Sequence, residues 1–74
     1  MLKERKYTIE TEQETDGKWI AEVLEIPGVL AYGATLEQAQ ANAEVLALRV
    51  LAEEMEENKG ATVLGFSSIA FLLS

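Results

Sequence analysis

The 74-residue sequence contains no cysteine, no histidine and a single proline. Without cysteine there can be no disulfide and no thiol catalysis. Because cysteine and histidine are both absent, there can be no zinc finger. Ser-His-Asp triads and imidazole acid-base catalysis both need a histidine and are excluded within the chain as well. Most enzyme mechanisms therefore lack candidate residues, and we predict a non-enzymatic protein that needs no cofactor.

Basic residues are also scarce. Six Lys and Arg stand against thirteen Asp and Glu, which gives a net charge of −7. This charge repels nucleic-acid phosphates, so a basic protein is a more suitable partner than DNA or RNA. A chain this short forms one domain, residues 1–74, and with no disulfide or zinc to stabilise its core it gains from a second subunit. We expect a homodimer.

Targeting and membrane-spanning segments are not evident. Residues 1–10 are rich in charge and lack the apolar region of a signal peptide. The uncharged stretch 60–74 has 15 residues, whereas a spanning helix needs about 20. Gly65, Ser67 and Ser68 interrupt it further. We therefore expect a cytoplasmic protein with no membrane partner, in which this stretch contains a buried strand.

Three strands are predicted in the first half of the chain from the alternation of apolar and polar residues. Asp16-Gly17 favours a tight hairpin between the first two, which makes them an antiparallel pair. Pro27-Gly28 ends the second strand, and Gly33 ends the third. The predicted ranges are 6–12, 19–25 and 29–32.

A long helix is predicted to follow. Thr35 and Gln38 form a capping box, in which the Thr35 hydroxyl accepts the Gln38 amide and the Gln38 side chain returns to the Thr35 amide. From Leu36 to about Asn58 there is no Gly or Pro, and Gly60 supplies a stop. A last strand is predicted at 68–73, where the absence of charge indicates cover on both faces.

The predicted order is β-β-β-α-β, an α+β fold. We expect a four-stranded mixed sheet with the last strand parallel to the first, and one long helix on one face. The other sheet face stays open.

Two stripes of the helix are apolar. The stripe predicted to face the sheet consists of Leu36, Ala39, Ala43, Leu46, Ala47, Val50 and Leu51. A second arc consists of Ala41, Val45, Leu48, Ala52 and Met55. This arc is either an interface with another protein or a set of scattered exposed side chains. The dimer contact is open between the sheet face and the helix arc. Pairing of residues 68–73 across subunits is a specific prediction, because this apolar segment would be an aggregation hazard as a free edge.

Four glutamates, Glu53, Glu54, Glu56 and Glu57, lie in the last turns of the helix. The helix dipole prefers cations there, so these residues do not stabilise the helix end. They are interpreted either as a solubilising terminus or as an acidic patch for a basic partner.

A metal-dependent nuclease would need carboxylates from the first strand, the helix and the last strand. Glu10 and either Glu37 or Glu44 could supply two of them, but residues 58–74 contain no acidic side chain. We therefore predict neither a metal site nor hydrolysis.

The segment IPGVLAYGATLEQAQANAE resembles the signature of the HicB-like antitoxin family, and the resemblance extends over roughly residues 6–60. The matching positions are Pro27, Gly28, Gly33, Thr35, Glu37, Ala39, Asn42 and Glu44. The chain departs from the family pattern at Val29, Ala34 and Gln38, where Cys, Asp and a second Glu are common.

The resemblance implies a partial RNase H-like fold without the nuclease carboxylates. It also implies that the protein binds and neutralises a HicA-type toxin, a small basic RNA-cleaving protein, in agreement with the charge of −7. DNA binding is not carried over, because the sequence contains no DNA-binding module. The expected partner-binding residues are Glu53, Glu54, Glu56, Glu57, Val45 and Leu48. The alternative is an orphan HicB-like module that self-associates or binds a small ligand.

Overall fold

The computed structural model describes residues 4–57 and 68–73. The elements follow the predicted order and are β1 Glu4–Gln13, β2 Trp19–Val23, β3 Leu30–Gly33, α1 Leu36–Glu57 and β4 Ser68–Leu73. The start of α1 and the bounds of β4 are those predicted, while β1 is longer and β2 shorter. The predicted helix stop at 58–60 lies outside the described residues.

The strands form one four-stranded mixed sheet in the order β3-β2-β1-β4. β1 pairs antiparallel with β2, and β2 pairs antiparallel with β3. β4 pairs parallel with β1, as the sequence predicted. The α+β fold with one helix is thus confirmed.

β2 and β4 are staggered along β1. Residues 9–13 of β1 pair with β2, residues 4–9 pair with β4, and Ile9 alone pairs with both. The sheet therefore has two parts. We call the first the meander (residues 9–13 of β1 with β2 and β3) and the second the parallel ribbon (residues 4–9 of β1 with β4).

The helix packs mainly over β3 and β2 and less over β1, so it covers the meander. Three alanines at a spacing of four, Ala39, Ala43 and Ala47, are fully buried, and Leu51 completes the contact. Because alanine is small, the helix axis can lie close to the sheet. Leu46 and Val50 flank this row, half-buried against the core, which confirms the predicted stripe.

Gly33 lies where the sheet and the helix come closest. A Cβ on this residue would collide with the amide nitrogen of Ala39 and would lie 2.8 Å from the Cβ of Gln38. Gly28 serves a different purpose. Its φ of 85° and the hydrogen bond of 3.2 Å from the Val29 amide to the Ile26 carbonyl fit a type II turn with Pro27 ahead of it.

A side chain continues the β1–β2 ladder past the end of β2. Glu25 was predicted to belong to the second strand but lies in the turn, and its carboxylate accepts the Thr8 amide at 2.7 Å and the Thr8 hydroxyl at 2.8 Å. Both hydrogen bonds lower the pKa of this exposed carboxyl, the one from the Thr8 amide more than the one from the Thr8 hydroxyl. The stabilisation is therefore present above the pKa of the unfolded chain and is lost as the pH falls through the lowered value.

The capping box forms with one difference from the prediction. The Thr35 hydroxyl accepts the Gln38 amide at 3.1 Å, as expected. The Gln38 side chain, however, accepts the amide of Ala34 at 2.9 Å, and not that of Thr35. The longer reach still fixes the chain entering the helix.

The expectation that β4 is covered on both faces is wrong for the single chain. Ile69 and Phe71 are half-buried, whereas Leu72 is 49% and Leu73 60% exposed. The absence of charge indicated cover, but within the described residues β4 lies at the end of the sheet.

Candidate interaction surfaces

The second apolar arc of the helix faces solvent. Val45 and Leu48 are 49% and 46% exposed, and Met55 is as exposed as Val45. Contiguous exposed apolar residues can mark an interaction site, whereas scattered ones are ordinary on a protein surface. The arc is therefore a candidate interaction surface.

The helix end that carries the four glutamates is exposed to solvent. Leu51 is the last buried residue of α1, and every residue from 52 to 57 is exposed. The last turn contains no basic residue. This end adds nothing to the core and places its carboxylates in solvent.

The four glutamates do not share one face. At 100° per residue, Glu56 lies about 20° and Glu53 about 80° from the direction of Val45, on the side of it away from Leu48 and with Arg49 between them. Glu54 and Glu57 lie on the side that packs on the sheet in the earlier turns. The exposed side chains of Val45, Leu48, Glu53 and Glu56 thus share the solvent side of the helix, and we call them the helix patch. Glu54 and Glu57 are separate from it.

A second acidic surface, on the open face of the sheet, was missed by the sequence analysis. Glu10 lies directly opposite Glu22 across the β1–β2 pair, and Glu12 follows on the same face. Like charges at such positions disfavour the pairing. An open depression of about 480 Å³ lies here, lined by Glu10, Thr11, Glu12, Ile20, Glu22 and Leu30. From the sequence, the pairing of Glu10 with Glu22 could have been recognised only through the β1–β2 register, which the hairpin turn fixes.

The carboxylates considered for nuclease chemistry do not converge. Glu10 projects from the open face of the sheet, whereas Glu37 and Glu44 belong to the helix on the other face. The sheet itself separates them. Within residues 4–57 and 68–73, no group of three potential ligands could hold a metal ion.

Most of the residues on which the family resemblance rests act in turns, packing and capping. Pro27 and Gly28 form the turn after β2, Gly33 permits close approach of the helix, and Thr35 caps it. Glu37 lies exposed in the first helical turn, where the dipole favours a carboxylate. Ala39 is fully buried.

Asn42, another residue of the motif, closes an edge of the sheet. Its side-chain amide donates a hydrogen bond of 2.8 Å to the main-chain carbonyl of Tyr32 in β3. β3 is the end strand on the helix-covered side. One main-chain carbonyl on the outer edge of β3 thus accepts a hydrogen bond from the helix.

In the part of the chain that the structure describes, no helix combines the length and the apolar character needed to cross a membrane.

Comparison with protein-family models, curated proteins and solved structures gives no match to this chain. The fold and these surfaces therefore define the class of protein, a small α+β domain with exposed acidic and apolar surfaces.

Proposed function

We propose that this chain is a HicB-like, antitoxin-type protein of the cytoplasm, which binds and neutralises a small basic RNA-cleaving toxin of the HicA type without catalysing a reaction. The observation that carries the proposal is the helix patch, in which two exposed apolar side chains, Val45 and Leu48, share the solvent side of the helix with the exposed Glu53 and Glu56. The sequence motif and the agreement of its residues with turn and cap positions support it.

Inhibition follows from occlusion. The apolar pair supplies contact area that excludes water, and the carboxylates on the same solvent side of the helix pair with Lys or Arg of the toxin. A toxin that binds RNA through a basic surface loses that surface when an acidic protein covers it. The net charge of −7 speeds the encounter at low salt.

The partner is identified by capture of tagged protein from the native host at low salt, repeated at high salt. We expect a basic protein whose gene lies next to that of this chain. Its RNA cleavage should be blocked by a stoichiometric amount of this protein. Capture of the chain alone, with no basic protein encoded nearby, would contradict the proposal and favour the orphan module.

The division of the glutamates provides a matched pair of variants. Glu53→Lys with Glu56→Lys should weaken toxin binding by at least about tenfold and flatten its salt dependence. Glu54→Lys with Glu57→Lys makes the same change in net charge on the same helical turns and should weaken binding by less than about threefold. Affinity is measured by titration calorimetry at several salt concentrations. Equal effects of both pairs would show that only net charge matters and would remove the helix patch from the interface.

A further inference from the structure

The two edges of the sheet are treated differently. β3 is only four residues long, and Asn42 from the helix occupies the Tyr32 carbonyl on it. β4 is six residues long, carries no charge and has no proline. Proteins normally protect an edge by short length, by charge or by cover. β3 has two of these protections, and β4 has none within the described residues.

The parallel ribbon is the less covered part of the sheet. Parallel pairing is also slightly less stable per residue than antiparallel pairing. Here Tyr7 is buried and stacks on Phe71 with ring centroids 5.8 Å apart. Leu72 and Leu73 are nonetheless among the exposed large apolar residues of the chain. The ribbon is therefore an incomplete part of the sheet.

Charge indicates what completes it. Two copies of a chain with net charge −7 repel each other, so a contact through an uncharged segment is favoured over one through the acidic surfaces. β4 is such a segment, and a two-fold axis lets the same edge strand serve as the interface on both copies. A basic partner would find no carboxylate on this strand with which to pair.

We propose that β4 pairs antiparallel with β4 of a second copy, which joins the two sheets into one of eight strands. The two-fold axis is perpendicular to the sheet, so both helices lie on the same face of the joined sheet. The paired ribbons form its centre, where Phe71 and Leu73 of each copy are brought next to those of the other. This inference does not depend on toxin binding, because it uses the edge of β4 and none of the residues of the helix patch.

The test is the Leu72→Lys variant, studied by sedimentation over a range of concentrations. The wild-type chain should dimerise, and the variant should raise the dissociation constant at least about tenfold, because two lysines would meet at the uncharged centre. The substitution makes the net charge less negative, so general repulsion between copies decreases and cannot cause the loss.

Two matched variants assign the effect. Leu30→Lys places the same charge on a similarly exposed residue at the other end of the sheet and should leave the dimer intact. Leu48→Lys tests the helix arc as the alternative dimer contact. A wild-type chain that stays monomeric, or a dimer that Leu48→Lys dissociates and Leu72→Lys does not, would overturn the proposal.

Hydrogen exchange on the wild-type chain gives a test that needs no folded variant. Successive amides of a strand point to opposite edges, so in the monomer only alternate amides of β4 are bonded to β1. In the proposed dimer, the outward amides bond to the second copy. Protection of consecutive amides that increases with protein concentration is expected. Alternate protection persisting in the dimer would place the contact elsewhere.

Discussion

The meander and the parallel ribbon share one strand, β1, yet they differ in what covers them. In the meander, α1 packs against the sheet through fully buried alanines, and Ile9, Val23 and Val29 are almost inaccessible. In the ribbon, the partner strand β4 has two leucines about half exposed or more. One half of this ten-residue strand is thus covered by the helix of the same chain, whereas the other half pairs with a strand that is partly exposed. Strand formation and strand cover are separate requirements. The meander meets both, whereas the ribbon is covered only in part, through Tyr7 and the half-buried Ile69 and Phe71.

The largest effect should come from Gly33→Ala, which attacks the contact between the helix and the meander. The added Cβ would meet the main chain of Ala39, which cannot move without shifting the helix. We expect the free energy of unfolding to fall by about 3 kcal/mol, measured by urea denaturation. Gly28→Asn is the control, since the turn there leaves open space and asparagine tolerates positive φ. A loss no greater than that of the control would mean that the helix is less closely packed than described.

A matched pair at Ile9 compares the two parts directly. Val23 is the neighbour of Ile9 in the meander and Leu73 its neighbour in the ribbon. Val23→Ala should lower the free energy of unfolding by about 2 kcal/mol. Leu73→Ala, although it removes more atoms, should lower it by less than about 0.5 kcal/mol in the monomer. Thermal unfolding at low concentration measures both. Comparable losses would show that the ribbon is covered within one chain.

A smaller effect is expected from the helix cap. Thr35→Ala removes the acceptor of the Gln38 amide and should cost about 1 kcal/mol. Thr35→Ser keeps the hydroxyl and should cost little. Because the cap fixes the helix over the meander, amide exchange should accelerate in β2 and not in β4. Equal acceleration in both strands would mean that the two parts unfold as one unit.

The elements with local signals were predictable from sequence. The start of α1 follows from Thr35, and the strand at 68–73 from its uncharged apolar run, because caps and strand propensity depend on neighbouring residues. The stagger of β2 and β4 along β1 was not predictable, since register is set by contacts distant in sequence. Glu25 was assigned to the second strand because the apolar–polar alternation extends to it. In the structure its carboxylate, in place of a main-chain carbonyl, accepts the Thr8 amide.

The candidate surfaces were predictable in part. Helical periodicity alone predicted that Val45 and Leu48 would be exposed. The glutamates were grouped by their closeness in sequence, and the helix instead distributes them around its axis. Glu10 and Glu22 could not be grouped at all without the β1–β2 register, because a shift by one residue would place either on the opposite face.

Trp19, the single tryptophan of the chain, pairs with Gln13 on one side and Gly33 on the other, so it belongs to the meander. It is partly buried against the core, while the aromatic contact of the ribbon consists of Tyr7 and Phe71. Tryptophan fluorescence is therefore a local reporter. It would follow loss of the helix-covered half and remain nearly silent to fraying of the ribbon, so an emission-based melting curve and one from far-ultraviolet circular dichroism coincide only if both halves melt together.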